Sequence, residues 1–179
     1  MRSGGLGGRA AKAATPVPMR EVEAAQVARI ATGIAELDRV LGGGIVPGSL
    51  VLIGGAPGIG KSTITLAALA NVAAQRPVLY VTGEESPAQV RLRAERLEGA
   101  ALDVPIVAET DVSVIEATLE RERPQVCVID SVQTLHCGDL SGAPGSVQFS
   151  ASCVKRVGLG IPGPRRIVYP FLPFVDLIG

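Results

Sequence analysis

Tryptophan is absent from the 179 residues, and Phe and Tyr together bring the aromatics to only 3%. A folded interior is still expected, because 47% of the chain is hydrophobic; it has to be built mainly from Val, Leu, Ile and Ala. Cysteine is scarce. Cys127, Cys137 and Cys153 are scattered and no CxxC pair exists, which excludes a cysteine-based zinc module. So sparse and odd a set fits a reducing compartment better than a disulfide scaffold. The one histidine, His136, has no nucleophile beside it in sequence and reads as a loop residue. Neither sign of charge is in excess, with 17 basic and 17 acidic residues. Nucleic acid is therefore neither demanded nor excluded, and any basic surface is local. No apolar run approaches the roughly 20 residues that span a bilayer. Arg2, Arg9 and Lys12 are not followed by the apolar core of a signal peptide. The expectation is a soluble, cytoplasmic protein without a membrane partner.

The length suits one domain with a real core. Residues 1–28 are rich in Gly and Ala and carry Pro16 and Pro18, so they read as a flexible linker, with a short helix expected around "REVEAAQVA". From Arg29 the pattern becomes regular. Ile34, Leu37 and Leu41 have helical spacing, with Thr32 as the expected cap and a glycine stop. Short Val/Ile/Leu runs at "SLVLIGG", "RPVLYVTG", "DVPIVAET" and "PQVCVID" read as buried strands. Between them, 62–74, "ESPAQVRLRAERLEG" and "DVSVIEATLERER" read as helices. Ser86, Pro87 and Gln89 form a capping box, and Arg91 to Glu95 is an i,i+4 pair. Strands alternating with helices imply an α/β fold with a mostly parallel sheet covered on both faces.

Gly55-Ala56-Pro57-Gly58-Ile59-Gly60-Lys61-Ser62, followed by Thr63, matches G-x-x-x-x-G-K-[ST] between a strand and a helix. In such a loop, glycines let backbone N–H groups curl round phosphate oxygens. Lys61 reaches the β- and γ-phosphates and Ser62 offers a hydroxyl to Mg²⁺. The N-terminus of the following helix adds positive potential. The cofactors expected are ATP and Mg²⁺. Asp130 ends the strand "VCVID", where a carboxylate either holds Mg²⁺ through water or caps a turn; a P-loop upstream favours the first. Glu84 and Glu85 lie at the carboxyl end of the second strand. They either orient and deprotonate an attacking water or are acids favoured by a helix N-terminus. Arg91, Arg93 and Arg96 interleave with Glu95 and Glu98, as on a solvated helix face.

The phrases "TGIAELDRVLGGGIVPGSLVLIGGAPGIGKST", "VLYVTGEESPAQVRLRAERL" and "VCVIDSVQTL…SGAPGSV", in that order, resemble the RadA (Sms) family of bacterial RecA-like P-loop ATPases. The resemblance covers residues 29–147. It implies a RecA-like core that binds ATP and acts on single-stranded or branched DNA in recombinational repair, with DNA-stimulated hydrolysis, as a ring-shaped homo-oligomer. Carried over by position, Gly55 to Thr63 bind nucleotide, and Ser62 and Asp130 hold Mg²⁺, partly through water. Lys61 and Glu84 serve catalysis, with Glu85 as near neighbour. Ser131 and Gln133 lead into a DNA-facing loop, and "HCGDLSGAPGS" is a DNA contact by analogy. A regulatory RecA-like ATPase of KaiC type shares the P-loop but not "GEES…QV…LRA" together with "IDSVQT".

The resemblance stops near Val147. The family's four-cysteine zinc module, its later sheet strands and its "KNRFG"-type motif have no counterpart in these residues. Residues 148–179 show no helical or strand period, and Pro162, Pro164, Pro170 and Pro173 interrupt them. They are expected to be an unassigned tail read out of frame, leaving a core incomplete on its C-terminal side. On that expectation the chain retains nucleotide binding more surely than hydrolysis, and a non-functional fragment that only binds nucleotide is the limiting case.

Overall fold

The computed structural model describes residues 15–23, 28–97 and 99–138, together with the backbone of 166–171. Five strands form one sheet: β1 (Leu50–Gly54), β2 (Val78–Thr82), β3 (Ile106–Ala108), β4 (Val126–Asp130) and β5 (Arg166–Phe171). Their order is β1-β5-β4-β2-β3, and every pairing is parallel. Among the described residues, α1 (Ala35–Val40) precedes β1, and α2 (Lys61–Ala73), α3 (Pro87–Ala94) and α4 (Val112–Glu122) connect β1 to β4 in turn.

The period-2 alternation of a strand explains the layering. In β2 and β4 every residue is buried. Val78 and Tyr80, with Val126 and Val128, face one way and pack with Leu66, Leu69 and Val72 of α2 and Val90 and Ala94 of α3. Leu79 and Val81, with Cys127 and Ile129, face the other way onto Val112, Ile115 and Leu119 of α4. These continuous apolar runs are what a parallel sheet covered on both faces requires. The core is aliphatic as expected, apart from Tyr80, which is wholly buried at its centre.

Local signals hold in most places. Ser86 accepts from the Gln89 N–H while the Ser86 N–H donates to Gln89 Oε1, so the capping box is formed with Pro87 behind it. Asp111 caps α4 by accepting from the Ser113 N–H at 2.7 Å. Thr32 is not the cap of α1; Ile34 occupies that position without a side-chain bond. Instead Thr32 is fully buried, its N–H donates to Asp38 Oδ1 at 2.7 Å, and its carbonyl accepts from Asn71 Nδ2 at 3.0 Å. Its hydroxyl bonds locally, accepting from the Ile34 N–H at 3.3 Å, one position short of the first turn of α1. Of the helix expected around "REVEAAQVA", Met19–Glu21 forms a 3-10 turn and residues 24–27 lie outside the described residues.

The tail contributes a strand that its sequence did not signal. β5 lies between β1 and β4, pairing Leu50↔Ile167 through Gly54↔Phe171 on one side and Val126↔Arg166 through Val128↔Val168 on the other. Pro170 has no N–H to give to a ladder. The ladder to β4 ends at Val168, two residues earlier, so at Pro170 the strand is paired to β1 only. Residues 148–165 and 172–179 lie outside the described residues.

Ile115 is 1% exposed between α4 and the sheet. Ile115→Ala should lower the unfolding free energy by about 2–5 kcal/mol, seen as an earlier midpoint in equilibrium urea denaturation. Val114→Ala, on the exposed side of the same helix, should change it by no more than about 0.5 kcal/mol.

Candidate functional site

All five strands run parallel, so their carboxyl ends lie along one edge of the sheet, the edge at which α/β folds bind ligands. β1 ends at Gly54 and opens the loop 55–60; Gly58 and Gly60 have φ of 76° and 101°, a left-handed conformation suited to glycine. Gly55 is confined too, since a Cβ there would meet Ile59 Cγ2 at 3.0 Å. α2 starts at Lys61, and the Ile64 N–H closes its first turn on the Gly60 carbonyl at 2.9 Å. Lys61 Nζ reaches back across the loop and donates to the carbonyls of Gly55 (2.7 Å) and Ala56 (2.9 Å).

Opposite this loop stand the ends of β2 and β4. Thr82 pairs with Asp130, and the Gly83 N–H donates to the Asp130 carbonyl at 2.8 Å. Gly83 cannot be larger, because a Cβ would fall 2.1 Å from Thr134 Oγ1. Thr82 Oγ1 holds the turn that follows, donating to the Glu85 carbonyl at 2.7 Å and accepting from the Glu85 N–H at 3.2 Å. Glu84 Oε1 accepts from Ser131 Oγ, and Glu85 Oε1 accepts from Arg93 Nη2. Asp130 is 8% exposed, and its Oδ2 accepts from the Tyr80 hydroxyl at 2.5 Å.

Loop, turn and strand end enclose one cleft of about 320 Å³. Pro57, Gly58, Gly60, Lys61, Ser62 and Thr63 line it from the loop and α2; Glu84, Glu85, Arg93, Asp130 and Ser131 line it from the other elements. The residues singled out in sequence at 57–63, apart from Ile59, thus meet Glu84, Glu85 and Asp130 in space, although about 70 positions separate the ends of the set. A larger apolar cavity of about 540 Å³ lies under α3, lined by residues such as Leu66, Val90 and Ile106. It lacks convergent polar groups, so the smaller cleft is the better candidate for chemistry.

Ser62 and Asp130 put hard oxygen donors in the same cleft. Among the described residues no group of three or more His, Cys, Asp or Glu could hold a metal by itself. Two protein oxygens that leave the remaining positions to water and phosphate suit Mg²⁺, which dehydrates reluctantly. Cys127 is not a nucleophile in waiting: it is buried, and burial pushes its thiol up. His136 is exposed, and its backbone bridges to Asp111. Ser131 and Gln133 leave β4 as the sequence order requires, while most of "HCGDLSGAPGS" lies outside the described residues.

Arg93 and Ser131 were not singled out as cleft residues by sequence reasoning, and neither was Tyr80, which supports Asp130 from outside the cleft lining. Arg93 is not on the solvated face: its side chain is 15% exposed, against 74% for Arg91, which pairs with Glu95 at 3.2 Å. The signal was available, because Val90, Arg93, Ala94 and Leu97 follow i, i+3, i+4, i+7 and so share the inward side of α3. Tyr80 lies opposite Val128, so Asp130 is two residues further along on the same face of the neighbouring strand.

Burial, and then the negative charge and hydrogen bond of Asp130, push the Tyr80 phenol well above its ordinary value. The folded state therefore keeps this proton where the unfolded chain, with a phenol pKa of about 10, loses it. The stabilisation is complete below that pH and is lost progressively above it, at about 1.4 kcal/mol per pH unit for this one group. Urea unfolding between pH 10 and 11.5 should show stability falling more steeply in the wild type than in Tyr80→Phe, with the difference approaching that slope.

The sequence profile of the AAA domain family matches residues 15–157. Among relatives, the DNA repair protein RadA of Pseudomonas aeruginosa is 51% identical over 143 residues, covering 80% of this chain and 32% of the relative. RadA of Bacillus subtilis is 43% identical over 143 residues (79% and 31%), and RadA of Escherichia coli 46% over 129 residues (72% and 28%). The chain thus spans about a third of the length of the curated relatives it matches. With a P-loop at the carboxyl edge of a parallel sheet and this match over most of its length, the chain belongs to the AAA domain family of P-loop proteins, and its similarity within that family is to bacterial RadA.

Proposed function

We propose that this chain binds ATP with Mg²⁺ in the cleft and serves DNA repair as part of a DNA-stimulated ATPase. The observation that carries the proposal is the convergence of Lys61, Ser62, Glu84 and Asp130 on one cleft of about 320 Å³. Residues 29–147 are the nucleotide-binding core in this reading, preceded by a linker.

Gly55 to Gly60 offer backbone N–H groups to phosphate oxygens, and the start of α2 adds its positive end. Lys61 Nζ, held on the Gly55 and Ala56 carbonyls, exchanges those contacts for β- and γ-phosphate oxygens, a stronger charge-assisted bond. Ser62 and Asp130 would hold Mg²⁺, partly through water, and a bound Mg²⁺ would supply neutralisation of charge developing on the phosphates. Tyr80 donates to Asp130 Oδ2 and so fixes the carboxylate at the edge of the cleft. Glu84 is the carboxylate placed to orient the attacking water and take its proton, beside Ser131 and Asp130. Glu85 is engaged by Arg93, which leaves it less free for that role.

DNA as the partner rests on the similarity to RadA over about a third of that protein's length, and so does assembly of copies into a ring. The cleft's described lining carries three carboxylates and two cations, so attraction to a phosphate backbone has to come from another surface.

Lys61→Ala should weaken binding of a fluorescent ATP analogue by about 1.5–3 kcal/mol, roughly 10- to 150-fold in Kd. Equal, poor binding by wild type and variant in a titration would sink the nucleotide reading. Single-stranded DNA should raise the rate of phosphate release. Identical rates with and without DNA would remove the DNA-motor part and leave a nucleotide-binding module.

A further inference from the structure

Arg93 has more donor capacity than its ion pair uses. Its Nη2 donates to Glu85 Oε1, yet Nη1 is buried without a hydrogen-bond partner, and so is Glu85 Oε2. Arginine–carboxylate pairs frequently close with both prongs. Here one prong is engaged and the second is idle, and a buried idle donor is costly enough to ask for a partner. The same side chain lines the cleft with Lys61 and Ser62. Among the described lining residues, Lys61 and Arg93 are the two cations, and they come from different helices.

We propose that Arg93 senses the nucleotide state: a turn of the guanidinium about its Glu85 contact brings Nη1, buried in the free protein, to the terminal phosphate of a bound nucleoside triphosphate. This makes it the residue that separates triphosphate from diphosphate, and it rests on the nucleotide reading of the cleft given above. The planar, permanently charged guanidinium suits the task, because one prong stays on Glu85 while the other takes a phosphate oxygen. Glu85 then acts as a holder, aiming Arg93. Thr82 in turn fixes the Glu85 backbone in the turn that also carries Glu84. A phosphate gained or lost at Nη1 is therefore felt at the carboxylate placed to handle water.

The test is a fluorescence titration of the full chain with a slowly hydrolysed ATP analogue and with ADP, each with Mg²⁺, alongside thermal denaturation to check folding. Wild type should prefer the triphosphate. Arg93→Gln should lose at least about tenfold in triphosphate affinity with the ADP affinity unchanged. Arg93→Lys keeps a positive charge beside Glu85 but not the two-pronged geometry, and should show the same selective loss. Glu85→Gln keeps an amide oxygen to accept from Nη2 and should lose less of the preference than Arg93→Gln. The proposal is overturned if Arg93→Gln and Arg93→Lys weaken both nucleotides equally or neither. It is overturned as well if Glu85→Gln loses the preference as fully as Arg93→Gln, since the pair is then only a brace. Normal wild-type binding without any dependence on Arg93 leaves the nucleotide reading standing. Failure of wild type to bind either nucleotide removes that reading and the inference with it.

Discussion

The parallel register of β2 against β4 sets Thr82 opposite Asp130, and the geometry of the cleft descends from it. Both strands end at this level, so the 83–86 turn and Ser131 leave the sheet side by side. The Gly83 N–H then finds the Asp130 carbonyl, and Glu84 finds Ser131. The same register brings the Tyr80 hydroxyl to Asp130 Oδ2. A slip of one residue would turn Tyr80 to the α4 face and leave a largely buried carboxylate without its donor. The register is protected because both faces of these strands are buried, so any slip exchanges two sets of packed side chains at once.

Around this pair the remaining parts are held by short contacts that tolerate little change. Thr134 leaves no space for a side chain at position 83. Thr82 ties the turn at its backbone and Arg93 ties it through Glu85, so Glu84 lies between two anchors. The phosphate loop is joined to this frame from the other side, through β1, with β5 lying between β1 and β4. The two walls of the cleft thus belong to strands that do not touch each other, and the width of one intervening strand separates them, about 4.8 Å to each neighbour.

Legibility from sequence followed how local each interaction is. The eight-residue P-loop pattern, the Ser86 capping box and the apolar runs of β2 and β4 need only near neighbours, and the structure carries each of them. Thr32 failed as a cap because α1 begins two residues later than its sequence suggested: Thr32 Oγ1 accepts from the Ile34 N–H, while its backbone is tied to Asp38 and Asn71 in a buried position. Arg93 was misjudged because charge alternation suggested a solvated face, although the 3.6-residue period placed it inward. β5 was missed because Pro170 argues against a strand, and only the end of the β4 ladder at Val168 removes that objection.

The order of elements up to β4, the parallel α/β class and the glycine-rich loop between β1 and α2 were determined by the sequence itself, since hydrophobic period and glycine placement are properties of short segments. Which of the two adjacent glutamates faces Ser131 and which is claimed by Arg93 was decided only by the tertiary structure. So were the hold of Tyr80 on Asp130 and the place of β5 in the sheet. Each depends on pairing between residues eight to more than a hundred positions apart, and no local pattern encodes a strand register or the side-chain partner it selects.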